Sequence, residues 1–157
     1  MYKVFFIFIF TTFCFSSTIN FQEEKFVNAL QASVYKNGII EIKNNFIKVS
    51  YKDFDTSYIF FSDHFIVKDK NSERELKYED RVELSIFYKL INLIYRDKKD
   101  GIEEFFNLES IENKTVLTPN EYLSNSIEKI EFKKNQNVLN FLKIYFKNED
   151  YIKIVQN

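Results

Sequence analysis

SIFYKLINLIY, residues 85–95, is apolar and aromatic along almost its whole length, and its periodicity is helical. Laid on a helix at about 100° per residue, Arg81, Ser85, Lys89, Asn92 and Arg96 fall within one stripe roughly 80° wide. Val82, Leu84, Ile86, Phe87, Tyr88, Leu90, Ile91, Leu93, Ile94 and Tyr95 occupy the rest, with Glu83 intruding near the N-terminal end. A surface helix needs an apolar face of only about 100°. Here the apolar arc is roughly 240°, so one contact surface does not cover it. The run is also shorter than the ~20 residues of a membrane span, and Lys89 interrupts it. The spacing predicts a helix over 79–96 that is covered on two sides. One cover is the remainder of the fold; the other is either loop packing or a cavity that a ligand fills.

Outward from the helix the period changes to two. Strands are expected in TINFQEEKFVNAL (18–30), ASVYKNGIIEIKNN (32–45), FIKVSY (46–51), SYIFF (57–61) and FIVKD (65–69). After the helix, Asp97 to Gly101 break the pattern and Ile102–Phe106 reads as one short helix. IENKTVLTP (111–119), IEKIEFKKN (127–135), VLNFLKIYFKN (138–148) and DYIKIV (150–155) then read as further strands. Ile40 and Ile42 alternate with Glu41 and Lys43, and Leu142, Ile144 and Phe146 with Lys143, Tyr145 and Lys147, so each run has one apolar face. Asn44-Asn45 and Asn135-Gln136-Asn137 supply turns, asparagine tolerating left-handed backbone. A β-run, a helix and a second β-run, without repeats or linkers, predict a mainly β (α+β) domain. Its core is one curved antiparallel sheet of eight or nine strands with the helix on the concave side.

The chain opens MYKVFFIFIFTTFCFSS: Lys3, an apolar run from Val4 to Phe15, then small residues, the order of a secretory signal peptide. We therefore expect residues 1–16 to be a signal peptide and 17–157 a single exported domain. Cleavage after Ser16 takes away Lys3, moving the formal net charge from −1 to −2, and also the one cysteine, Cys14. The mature chain then has no disulfide and folds on its apolar core alone. Thr12-Phe13 lacks the small residues a lipidation site at Cys14 would require. The near-neutral charge gives no sign of nucleic-acid binding.

Catalytic equipment is not visible. His64 is the one histidine and falls where a hairpin turn is expected, so a metal site would have to be built from carboxylates. The acidic pairs Glu23-Glu24, Glu103-Glu104 and Glu149-Asp150 are adjacent in sequence; neighbours point to opposite faces of a strand or sit about 100° apart on a helix, so none is a ready-made dyad. Gly38 and Gly101 are too far apart for a phosphate loop, and no nucleophile elbow is present. We expect no enzyme, no cofactor and no metal.

FQEEKFVNAL followed by YKNGIIEIKNNFIKVSY resembles the opening of the LolA outer-membrane lipoprotein carriers and their shorter LolA-like relatives. The matching features are Phe21-Gln22-Glu23-Glu24-Lys25, Gly38 at the head of a strand, the turn Lys43-Asn44-Asn45, Tyr51, and Ser62-Asp63-His64 at a hairpin. The helical middle, VLTP (116–119) and the C-terminal strands follow in the family's order. The chain departs from that pattern at Asn44-Asn45, where the family has the Arg-Pro whose arginine ties the lid to the barrel. It has no tryptophan, and no long N-terminal helix is evident. The resemblance implies a half-open antiparallel barrel under a helical lid, working as a monomeric periplasmic carrier. Its cavity would take the acyl chains of lipoproteins from an inner-membrane ABC complex and move them to an acceptor at the outer membrane. The expected lining is Ile40, Ile42, Val49, Tyr51, Ile59 and Phe61 from the first β-run and Ile130, Phe132, Ile144 and Phe146 from the second. The helix would add Phe87, Leu90, Ile91 and Ile94. In 57–61 both faces are apolar and the pattern does not choose between them. Two alternatives share the pattern: a carrier of another lipid or hydrophobic ligand, and an exported interaction domain with a fully packed core.

Overall fold

The strand alternation is realised as one sheet. The computed structural model describes residues 16–157, so the expected signal peptide lies, save for Ser16, outside the described residues. Six strands come first: β1 (Ser17–Val27), β2 (Ala32–Ile42), β3 (Ile47–Tyr51), β4 (Ser57–Phe60), β5 (His64–Asp69) and β6 (Ser72–Lys77). Helix α1 (Val82–Arg96) follows, and then β7 (Phe106–Ile111), β8 (Lys114–Pro119), β9 (Ile127–Asn135), β10 (Val138–Phe146) and β11 (Tyr151–Gln156). The order across the sheet is β6-β5-β4-β3-β2-β1-β11-β10-β9-β8-β7. Two meanders are therefore sewn together where β1 pairs antiparallel with β11, from Phe21↔Gln156 to Phe26↔Tyr151. The chain leaves one edge at β6 and returns at the other edge at β7, so the segment between them has to cross the sheet. That segment contains α1, which explains why a helix in the middle of the sequence covers the middle of the sheet.

One face carries the core. Ile19 and Phe21 of β1, Ile40 and Ile42 of β2, Ile47 and Val49 of β3 and Phe60 of β4 are all buried. Ile130, Phe132, Leu142 and Ile154 do the same from the second meander. The opposite face is polar and internally paired. Glu24 accepts hydrogen bonds from the hydroxyls of Ser33 and Tyr151, each 2.8 Å long. Burial pushes the Glu131 carboxyl up, but hydrogen bonds from Lys129 (2.9 Å) and Lys114 (3.3 Å) outweigh it and hold the group below its ordinary range.

The structure corrects the expected architecture in three places. The sheet has eleven strands rather than eight or nine, the additions being β6 and β7. SERELK in β6 is an edge strand with almost every position exposed, so it carries no alternation to read. Ile102–Phe106 is not a helix: residues 100–105 form turns, with Gly101 at φ +74°, and Phe106 already opens β7. The helix begins at Val82 rather than 79, because Tyr78–Asp80 form a 3-10 turn ahead of it.

Gly38 has a packing role in the sheet. Its cross-strand partner is Phe21 on one side and Tyr51 on the other. A Cβ at Gly38 would lie 2.3 Å from the Phe21 ring and 2.8 Å from the Ser50 carbonyl oxygen. The missing side chain lets Phe21 lie over the strand and meet Tyr51 edge-on, with ring centroids 5.7 Å apart. Gly38→Ala should therefore overpack this site and cost about 1–3 kcal/mol, read as a lower denaturation midpoint with an unchanged slope. A neutral effect would mean that Phe21 has room to swing away.

Candidate functional site: a cavity between the helix and the sheet

The helix is hemmed in all round: no residue from Leu84 to Arg96 is exposed. Its C-terminal half, Leu90 to Ile94, is buried outright, including the polar Asn92. Within the stripe read from the sequence as polar, Lys89 is covered by the segment that follows the helix, lying over the Phe105 ring at 5.9 Å and against Gly101. Loop packing thus supplies one of the two covers the sequence required.

Beneath the N-terminal half, packing is incomplete. Glu83, Leu84, Ile86, Phe87 and Leu90 form one wall of a cavity of about 330 Å³. The sheet forms the other wall with Val49, Tyr51, Tyr58 and Phe60 from the first meander and Ile127, Ile130, Ile144, Phe146 and Ile152 from the second. The helix thus has loop packing against Lys89 and, under its N-terminal half, this cavity. This volume is at the small end of ligand pockets, about 300–1,000 Å³.

Of the residues read from the sequence, Val49, Tyr51, Phe87, Leu90, Ile130, Ile144 and Phe146 come together around this space. Ile40, Ile42, Ile91, Ile94 and Phe132 share its face but are packed into the core beside it, each 4% exposed or less. Ile59 and Phe61 lie on the other side of β4, in a shallow surface cleft with Phe46, Lys48 and Lys68. The register is the cause. Tyr58 and Phe60 pair with Val49 and Ile47, and the Phe60 ring meets Phe87 (5.7 Å) and Tyr88 (6.1 Å) of the helix. The sequence reading missed Lys36, Tyr58, Phe60, Glu83, Leu84, Ile86, Ile127 and Ile152. For Ile152 the alternation of Ile152 and Ile154 with Tyr151 and Lys153 was a usable signal.

The mouth is polar and aromatic. Tyr51 donates its hydroxyl to Glu23 at 2.7 Å. Burial, reinforced by the Glu23 charge, pushes the Tyr51 phenol far above its ordinary range, so it stays a neutral donor. Lys36 lies over the rings of Tyr51 (5.4 Å) and Phe54 (5.1 Å), and Phe54 is half exposed. His64 is placed away from this space, stacked on Phe61 at 4.6 Å and bonded to Asp63. Among the described residues no three histidine, cysteine or acidic side chains are grouped to hold a metal ion.

The helix is fastened asymmetrically. At its C-terminal end Arg96 donates to the carbonyl of Lys43 in the β2–β3 turn and to Asn92 Oδ1 at 2.9 Å. Lys134 on β9 reaches the Ile94 carbonyl at 3.0 Å, and the Tyr95 hydroxyl meets Gln156 at 3.2 Å. The N-terminal end, over the cavity, has no side-chain cap. The sequence raised a difficulty, since the arginine expected in the turn is Asn44. An arginine does join helix and turn, but it comes from the helix. Arg96→Ala should remove charge-assisted bonds worth about 2 kcal/mol and lower Tm by roughly 4–8 °C. Amide exchange in the last turn of α1 should rise more than exchange in β1 and β2. Equal changes throughout would show that Arg96 does not fasten the helix locally.

A half-open antiparallel sheet crossed by a helix defines a class of fold, and the chain is similar over most of its length to solved structures. A domain described as an outer membrane lipoprotein-sorting protein, from Vibrio parahaemolyticus, aligns over 90% of this chain and 83% of its own at TM-score 0.50 and 10% identity. A LolA superfamily protein from Nitrosomonas europaea (TM-score 0.45, 9% identity, 90% and 84% covered) and a DUF1329 family protein from Desulfovibrio piger (0.46, 10%, 93% and 85%) are also similar to it. At these identities the likeness concerns the fold. No protein-family model matches the sequence and no curated protein matches it.

Proposed function

We propose that this protein is a non-enzymatic periplasmic carrier that encloses the acyl chains of lipoproteins beneath α1. It would receive them from an inner-membrane ABC complex and release them at the outer membrane. The observation that carries the reading is the apolar cavity of about 330 Å³ under the uncapped end of an otherwise fastened helix. The signal-like N-terminus and the fold shared with a lipoprotein-sorting domain support it. Burying acyl chains is worth about 0.8 kcal/mol per methylene, which suffices for capture. Release requires a competitor, and closure of α1 onto the sheet is one: cargo shifts that equilibrium only by its differential affinity for the open and closed forms.

Native mass spectrometry of the protein purified gently from a periplasmic extract tests this reading. A lipoprotein or lipid adduct that is lost on delipidation supports it and identifies the cargo. A bare mass, with no rise in fluorescence of a hydrophobic dye, would favour an interaction domain with a packed core.

A further inference from the structure

The cavity under α1 is blind at one end. Along the helix its lining runs from Glu83 to Leu90, about 10 Å at a rise of about 1.5 Å per residue. Past Leu90 the helix is packed outright, and the sheet beneath it is equally full: Ile40, Ile42, Phe132, Leu142 and Ile154 are each 5% exposed or less. The opening lies at the other end, where Lys36 and Tyr51 are half-buried and Glu83 is exposed.

The blind end is aliphatic. Leu90 of the helix and Ile130 of β9 line it, both fully buried. Among the described residues the one buried side-chain polar atom without a hydrogen bond is Asn120 Oδ1, which does not line this space, so nothing at the blind end calls for a polar group. The volume is also limited. At roughly 30 Å³ for a group the size of a water molecule, 330 Å³ takes on the order of ten methylenes. Two chains lying side by side would have to share that space, with about five methylenes each.

We infer that the site holds a single saturated acyl chain, methyl end inward against Leu90 and Ile130, and that this floor limits the buried length to about ten methylenes. This rests on the acyl-carrier reading and adds a chain count and a length limit to it. The head of the amphiphile stays at the mouth, beside Lys36, Tyr51 and Glu83. Each methylene that enters is removed from water; each one past the floor stays outside and contributes nothing. Leu90 and Ile130 are therefore specificity-determining residues.

The test is a series of lysophosphatidylcholines titrated into the protein below their micellar concentrations, with saturated chains of about eight to about sixteen carbons to bracket the expected length. Affinity should rise about fourfold per methylene up to about ten and then stay flat. A phosphatidylcholine with two chains should gain only about twofold over the single chain of the same length, since either chain can enter. Leu90→Ala deepens the floor by three carbons and should move the break to longer chains by about that much. Ile144→Trp, which fills the space without opening the core, should move it to shorter chains by about three methylenes and does not depend on the first variant folding. An unbroken rise to the longest chain, a second chain that adds as much as the first, or a break unmoved in Ile144→Trp would overturn the inference while leaving the carrier reading standing. Failure of every chain to bind would overturn the carrier reading, and this inference with it.

Discussion

Ile91→Glu should unseat the helix. Ile91 is 2% exposed, with Leu90 and Ile94 on either side at 0% and 2%, so a carboxylate there has neither water nor a cation. An unpaired ionised group is not kept in such a place; it takes up a proton instead. Protonating a glutamate at pH 7 costs about 1.36 kcal/mol per unit between its usual ~4.3 and the ambient pH, or about 3.7 kcal/mol. Loss of the apolar side chain adds a further ~2 kcal/mol. The sum, roughly 6 kcal/mol, matches the lower end of whole-domain stability, about 5–15 kcal/mol. The expected result at neutral pH is loss of the cooperative near-ultraviolet transition and of dye or lipid binding, with much of the strand signal retained.

The same variant has a pH signature. Its native-state glutamate would have a raised pKa, so between about pH 4.3 and that value the folded form holds more protons than the unfolded one. Stability relative to the parent protein must then fall as pH rises and recover as pH is lowered toward about 5. Ile91→Gln is the control: it loses the packing but cannot titrate. A deficit in Ile91→Glu that is flat with pH would mean that the site is open to water, and that α1 is not docked as described.

The legible parts of this molecule are those where one physical rule acts alone. The over-apolar helix was readable because burial on more than one side is the only way to hide ten apolar residues on a 15-residue helix. Ile40/Ile42 and Ile130/Phe132 were readable as inward-facing because charged neighbours mark the other face. Legibility failed where both parities carry the same chemistry. In SYIFF, Tyr58 and Phe60 compete with Ile59 and Phe61, and a one-residue slip reverses the face; the choice is made by the pairing of Phe60 with Ile47 and Phe65, which lies outside the segment. In SERELK neither parity is apolar. The Arg96 tie was out of reach for another reason. Arg96 and Lys43 are 53 residues apart, and a side-chain bond to a backbone carbonyl leaves no mark in residue type at the accepting end.

Ile144→Trp should close the cavity while sparing the fold. Ile144 pairs with Ile130 on β9 and Ile152 on β11, at the centre of the sheet wall facing α1, and its side chain is only half buried because the space in front of it is empty. A bulky residue usually strains a packed core by about 1–3 kcal/mol, but here the added ring fills volume that is already available. Thermal stability should therefore hold or rise. Binding should not. If the indole displaces about three methylenes of a bound chain at ~0.8 kcal/mol each, the loss is about 2.4 kcal/mol, or roughly fifty-fold in Kd. The natural chain contains no tryptophan, so the new indole reports on its own surroundings: its emission should be blue-shifted in the free protein. Unaltered acyl-chain affinity together with a blue-shifted indole would mean that chains bind elsewhere, and the space under α1 would then be a packing defect rather than a binding site.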